Sequence, residues 1–99
     1  MKNPLEEFNK VFDNQIRLGI MPSLMVKDEL SFNELKELFD TTDGNLATHL
    51  KKLEEAAYIK VDKSFYNKKP LTMYSVSKQG RLAFKQHINA LEKMIKKLK

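Results

Sequence analysis

The chain has 99 residues, 41% of them hydrophobic and 31% charged, with a formal net charge of +5. That length suits one compact domain burying about two-thirds of the surface its unfolded form exposes, a modest core to which a second subunit could add. There is no cysteine, so disulfides and thiolate metal sites are excluded, and no apolar run approaches the roughly 18 residues of a membrane span.

The opening MKNPLEEF lacks the apolar core of a signal peptide. Asn3-Pro4 instead marks a helix start, with Pro at the first helical position. Leu5, Phe8, Val11 and Phe12 then share one helical face. In NQIRLGIMPSLMV, Ile16, Ile20, Met21, Leu24 and Met25 keep a helical period. Pro22 lacks the N–H that would bond residue 18, which predicts a kink or a break there. The five methionines read as packing filler rather than as a ligand set. Residues 1–27 are thus expected to form N-terminal helices.

Ser31-Phe32-Asn33-Glu34 is a capping box, with Ser at the N-cap and Glu three residues later. Phe32, Leu35, Leu38 and Phe39 give this short helix its apolar face, and Asp40-Thr41 ends it. Thr42 caps the next helix, with Asp43 favourable in its first turn. Two short helices with so brief a join, over residues 31–57, are a helix-turn-helix pattern. After Tyr58 the period changes to two. Ile59 and Val61 alternate with Lys60 and Asp62, and Tyr74 and Val76 with Met73 and Ser75. SFYNKKPLT lies between, with Asn67 and Pro70 as turn punctuation, so residues 58–76 predict a β-hairpin with a basic tip. Ser77 caps a long final helix over residues 77–98. No repeat, low-complexity segment or linker interrupts the chain.

The helix in TDGNLATHLKKLEEAAY has only three large apolar residues. With Leu46 as reference, Leu50 and Leu53 fall within about 40° of it at 100° per residue. Gly44, Asn45, Thr48, Lys51, Lys52 and Glu55 lie on the far side, and His49 sits at the edge. A major groove about 12 Å wide admits one helix. Gly44, Ala47 and Thr48 are small enough to permit that approach, and Asn45, Thr48, His49 and Lys52 can bond base edges or phosphates. Helix packing is the other reading for His49. Charge is distributed accordingly. Residues 58–99 carry eleven basic and two acidic groups, whereas residues 31–57 carry three and six. A basic half favours polyanions, nucleic acid first and an anionic membrane surface second.

Helix, turn, helix, basic hairpin and long helix is the order of a winged helix-turn-helix. The motifs FNELKE, DGNLATHLKKLEEA-YI, KSF–KKP-T-YS and GR-AF, spread over residues 14–84, resemble the small winged-helix transcriptional regulators related to the MarR and ArsR groups. The likeness is to the short kind with no separate sensor domain. It implies a mainly α fold with a small β-hairpin (α+β), one domain over residues 1–99 with helical extensions at both ends. It also implies DNA binding as a homodimer, transcriptional control, and a recognition helix starting at Thr42. Two positions depart from the pattern. Ala57 stands where the family usually has a left-handed Gly, at a cost of about 1 kcal/mol unless the helix ends differently. Leu71 replaces a polar residue after the wing's Pro70.

The DNA-contacting set expected from residues and resemblance together is Thr42, Gly44, Asn45, Thr48, His49, Lys51 and Lys52 on the helix. Lys63, Tyr66, Asn67, Lys68 and Lys69 join it on the wing. Phe84, Ile88, Leu91, Ile95 and Leu98 are spaced 4, 3, 4 and 3 apart, a heptad seam. Leu82 and Met94 are expected to widen that seam, and Leu5, Phe8 and Phe12 to cover part of it. A second copy of the chain is the expected cover for the rest. His49 and His87 have no further His, Cys or carboxylate at ligand spacing. No nucleophile elbow, phosphate loop or carboxylate pair occurs. No metal, cofactor or catalytic residue is therefore expected, and not an enzyme. The expected partners are double-stranded DNA and a second copy, in the cytoplasm and without a membrane; a small apolar effector could sit between helices at the dimer interface, but no residue marks such a pocket. The competing reading is a winged helix used as a protein-interaction module in a larger assembly, which the acidic Asp43, Glu54 and Glu55 would suit.

Overall fold

A computed structural model of the protein describes residues 3–98. Two 3-10 turns, Pro4–Glu7 and Lys10–Phe12, lead into α1 (Gln15–Lys27), β1 (Leu30–Ser31), α2 (Phe32–Phe39), α3 (Asp43–Glu55), β2 (Ile59–Tyr66), β3 (Lys69–Val76) and α4 (Lys78–Lys97). The strands form one antiparallel sheet in the order β1-β3-β2.

Each helix starts where a side chain can take up its orphan N–H groups. Asn14 accepts from the N–H groups of Ile16 and Arg17, and Ser31 and Glu34 form the reciprocal capping box. Thr42 accepts from Asn45 N–H, and Ser77 from Gly80 N–H. The N-terminal segment differs from the helix its apolar spacing predicts. Asn3 and Asn9 accept from backbone N–H groups two residues on, an alternative to helical bonding that these side chains favour. Phe8 is extended between the two short turns.

Pro22 neither kinks α1 into two elements nor ends it, since the helix runs through it to Lys27. Pro22 is on the exposed side, while Ile20, Met21 and Leu24 have no exposed surface. Burying three such side chains, at about 1.5–3 kcal/mol each, outweighs the roughly 3 kcal/mol an internal proline costs. In α2, Leu35 is the fully buried residue, and Leu38 is exposed rather than part of the inner face. Pro70 is not in the turn but in β3, paired with Phe65. The turn proper is Asn67-Lys68, both left-handed with φ of 51° and 65°, as a two-residue hairpin requires. The two-residue strand β1 was not evident in the pattern; Leu30 and Ser31 pair with Tyr74 and Met73.

One core joins these elements, from Phe12 and α1 through Leu35, the three leucines of α3, and Ile59 and Tyr74 of the sheet. The close of α3 is set by Ala57, whose φ is 63°. Tyr58 N–H bonds Leu53 O at 3.0 Å and Ala57 N–H bonds Glu54 O at 2.9 Å, the paired bonds of a Schellman end. The alanine thus adopts the backbone conformation that the usual glycine would. Ala57→Gly is accordingly expected to raise stability by about 0.5–1 kcal/mol, because the Cβ penalty outweighs the extra entropy of an unfolded glycine. Urea unfolding would read this as a higher midpoint with an unchanged slope. An unchanged midpoint would mean that the left-handed alanine carries no strain.

Candidate nucleic-acid interface

The helix α3 is held from one side only. Leu46, Leu50 and Leu53 are buried in the core, while Gly44, Asn45, Ala47, Thr48, Lys51 and Lys52 are all exposed. Nothing lies within 4 Å of where a Cβ on Gly44 would stand, so the first turn of α3 is open to an incoming surface. Thr42 is occupied at the N-cap, 3.1 Å from Asn45 N. Asn45 Nδ2 donates to Thr41 Oγ1 at 2.8 Å, which orients the amide and leaves it one N–H and its carbonyl oxygen. Thr48 Oγ1 donates to Gly44 O at 2.9 Å, so its oxygen remains an acceptor and its methyl is fixed in direction. Lys36 of α2 meets Asp43 at 2.7 Å and offsets one of the acidic charges on the outer face of α3. Glu54 and Glu55 lie at the other end of the helix.

The wing carries the remaining predicted residues. Lys63 pairs with Thr72 and Tyr66 with Lys69 across the β2–β3 ladder, and Asn67-Lys68 form the tip. Every residue from Asp62 to Pro70 is exposed. Phe65, not singled out in the sequence, is 77% exposed beside Tyr66. Period-two alternation places these two aromatics on opposite faces of the wing, and a ladder reaching beyond the core leaves both in water.

His49 is placed differently from its neighbours. It is half-buried, and its Nδ1 lies 2.8 Å from a terminal nitrogen of Arg17 on α1. Arg17, unremarked in the sequence because a lone arginine in an apolar period reads as a surface residue, is itself buried and donates through Nε to Val11 O at 2.6 Å. Burial, then the Arg17 charge, then the Lys52 charge push the His49 pKa below its ordinary 6.5.

The terminal seam divides. Phe12 is 3% exposed and packs within its own chain on the rings of Tyr58, Phe84 and His87, so it has no surface to offer a second subunit. Phe8 is half-buried, edge-on to His87, and Leu5 is exposed. The face of α4 that packs on the domain is Gly80, Ala83, His87 and Ala90, rotated from the predicted seam by roughly 80° at 100° per residue. Phe84 and Ile88 are half-buried beside it. Exposure then climbs through Leu91, Ile95 and Leu98, at 37%, 58% and 80%. Met94 is half-buried, but Leu82 does not widen the seam: it is exposed, across the helix from it.

This geometry coincides with a known family. The sequence profile of the winged helix DNA-binding domain matches residues 16–95. The chain belongs to the winged helix DNA-binding domain family. An uncharacterized protein of Methanocaldococcus jannaschii is 36% identical over 89 residues, 90% of this chain and 97% of that one. A transcriptional regulator homologue from Pyrococcus horikoshii OT3 superposes with a TM-score of 0.86 at 29% identity, covering 96% of both chains. The transcriptional regulator BldR from Sulfolobus solfataricus superposes with a TM-score of 0.69 over 94% of this chain and 68% of its own, at 12% identity. That last likeness concerns the fold alone. Family membership agrees with the resemblance carried by the helix-turn-helix and wing motifs. Among the described residues no helix is long and apolar enough to cross a membrane.

The lowered His49 pKa makes the winged helix sensitive to acid. Below pH 6.5 the unfolded chain takes up a proton on His49 that the folded chain resists, so folding stability falls as pH drops through that window towards the folded pKa. Arg17 from α1 and Lys52 from its own helix are the charged groups bearing on the ring, and both are cations. His49→Asn keeps an acceptor for Arg17 but does not titrate. Its loss of stability between pH 7.5 and pH 5, measured by urea unfolding, is expected to be smaller than that of the wild type. Equal losses would mean that the ring charges as easily in the folded protein as in the unfolded chain.

Proposed function

We propose that this winged helix domain is a homodimeric transcriptional regulator that binds double-stranded DNA sequence-specifically. In this reading α3 enters the major groove and the wing lies on the backbone or in the minor groove. The observation that carries it is the outer face of α3. After Asp43, which Lys36 pairs, the small and uncharged Gly44, Asn45, Ala47 and Thr48 fill the exposed side of its first two turns, with Lys51 and Lys52 following, on a helix anchored from behind. Asn45 is suited to the N6 and N7 edge of adenine, which needs one donor and one acceptor, and the Thr48 methyl to a thymine methyl. Lys63, Lys68 and Lys69 are suited to phosphates. Lys68 holds its charge at a left-handed turn position where glycine would be less strained, and that supports a role for the charge itself.

Pairing through α4 is part of the proposal. A helix of 20 residues is about 30 Å long. Its last two turns carry an apolar seam that the domain leaves exposed, on a molecule 57 Å long and 25 by 22 Å across. A two-fold pairing along that seam covers those residues. It presents two α3 helices roughly 34 Å apart, one turn of DNA, and so calls for a near-palindromic site. Ile95→Glu with Leu98→Glu changes only exposed residues. Sedimentation should turn a wild-type dimer into a folded monomer; a wild type already monomeric at micromolar concentration would refute the pairing.

Gel-shift titration tests the DNA reading. Lys68→Ala with Lys69→Ala should weaken preferred and random duplexes alike and flatten the salt dependence, whose slope is near −0.9 per phosphate neutralised. Asn45→Ala should lose about 1–3 kcal/mol on the preferred site, found by selection from genomic fragments, and little on random DNA. If the wild type binds no duplex even at low salt, the protein-interaction reading takes its place.

A further inference from the structure

Arg17 is a buried cation without an ion pair among the described residues. Among the described residues the ion pairs are Lys36–Asp43 and Lys93–Glu7, and Arg17 has instead a backbone carbonyl and the ring of His49 as its partners. A buried charge is costly unless it is paired or hydrogen-bonded, and here these two hydrogen bonds must offset that cost. An arginine can only donate, so the atom it approaches at 2.8 Å, His49 Nδ1, is the acceptor and carries no proton. The proton of the neutral ring is then on Nε2. No buried side-chain nitrogen or oxygen among the described residues lacks a partner. Nε2, without a partner among the described residues, therefore keeps exposed surface, on a residue whose position in the helix is the edge of the α3 face.

We infer that Arg17 is a positioning residue for DNA readout: it holds His49 as the Nε2–H tautomer and polarises it, so that α3 offers a strengthened donor to an acceptor on the DNA. The inference rests on the proposed DNA-binding function. The acceptor is a phosphate oxygen or the O6 and N7 edge of a guanine, and the ring meets it neutral rather than as a cation. Arg17 does this without touching the DNA, from a helix behind the recognition helix. The ring's resistance to protonation agrees with this arrangement, because a charged imidazole would place two cations in contact.

Long-range proton–nitrogen correlation on the free wild-type protein at pH 7.5 reads the tautomer without any DNA. The expected result is a protonated Nε2 and a bare Nδ1; a protonated Nδ1 would overturn the assignment. Binding then supplies a double-mutant cycle. Arg17→Met should lower affinity for the preferred site about tenfold in the wild-type background, as the loss of one hydrogen bond implies, and hardly at all in a His49→Asn background. Losses that multiply would make Arg17 a structural residue only. A loss on random as well as preferred duplex assigns the acceptor to phosphate, and a loss confined to the preferred site assigns it to a base; both sustain the donor. Should Arg17→Met fail to fold, His49→Gln, whose amide can donate from the Nε2 position, should bind better than His49→Asn, and the reverse order would sink the idea. A wild type with the expected tautomer that binds no duplex would defeat the DNA-binding function, whereas one that binds with a protonated Nδ1 would defeat only the role of Arg17.

Discussion

The structure turns on one close approach. A Cβ on Gly80 would stand 2.0 Å from the carbonyl oxygen of Tyr58, so α4 can begin where it does only because residue 80 has no side chain. That same carbonyl accepts Ser77 N–H at 3.0 Å, and the Ser77 hydroxyl donates to Ala57 O at 2.7 Å. Tyr58 also closes α3 through its own N–H and receives Asn9 Nδ2 on its hydroxyl at 2.8 Å. The end of α3, the root of the wing, the start of α4 and the N-terminal segment therefore all meet at Tyr58. Van der Waals exclusion at such a distance admits no adjustment short of moving a helix. The direction of α4 relative to α3 follows from this junction, and with it where any second subunit would hold a second α3.

Backbone strain is spread over the turns, and one strained residue lies in this junction. Among the described residues five other than glycine have positive φ, and no glycine does. Ala57 is in the Tyr58 junction, Asp40 ends α2, Asn67 and Lys68 make the wing turn, and Asp28 follows α1. The glycines are used for space instead, Gly80 against Tyr58 and Gly19 against the ring of Phe39. A left-handed residue with a Cβ persists only where its surroundings over-determine it. At Ala57 the determinants are the two Schellman bonds and the Ser77 contact. At Lys68 they are the strand ladder on either side.

Much of the fold was legible because its signals are local. Ser31, Glu34, Thr42 and Ser77 cap the helices that their spacing predicts, and the change to a period of two marks the wing correctly. What was not legible depends on partners distant in sequence. The segment before α1 has helical apolar spacing, yet Asn9 is tied to His87 and Tyr58, and those bonds favour short turns over a helix. Pro22 is tolerated because the burial on the opposite side of α1 decides. A strand of two residues leaves no period to detect. On α4 the large residues drew the eye to Phe84, Ile88 and Leu91, although the packed face is the one with small side chains, where the helix can come nearest to the domain. Of the proposed site, the exposed stripe of α3 and the lysines of the wing were readable from periodicity. The contact between Arg17 and His49 was not, since 32 positions separate the two residues and neither type announces the other.

The two faces of α4 show why a small domain can carry so long a helix. Gly80, Ala83, His87 and Ala90 repeat every three or four residues, as do Phe84, Ile88, Leu91, Ile95 and Leu98. Both series keep the heptad rhythm, in different phases. The first, nearly without bulk, brings the helix against the N-terminal segment, where His87 Nδ1 accepts Asn9 N–H at 3.0 Å. The second is then forced to the flank, and its residues emerge into solvent as the domain falls away beneath them. Had the large residues been packed inward, the helix would stand farther from Tyr58, and Gly80 would not be needed. The small-residue face and the glycine are thus one requirement. Meeting it leaves an exposed apolar ridge, and a ridge with heptad spacing is the shape that a copy of itself can cover.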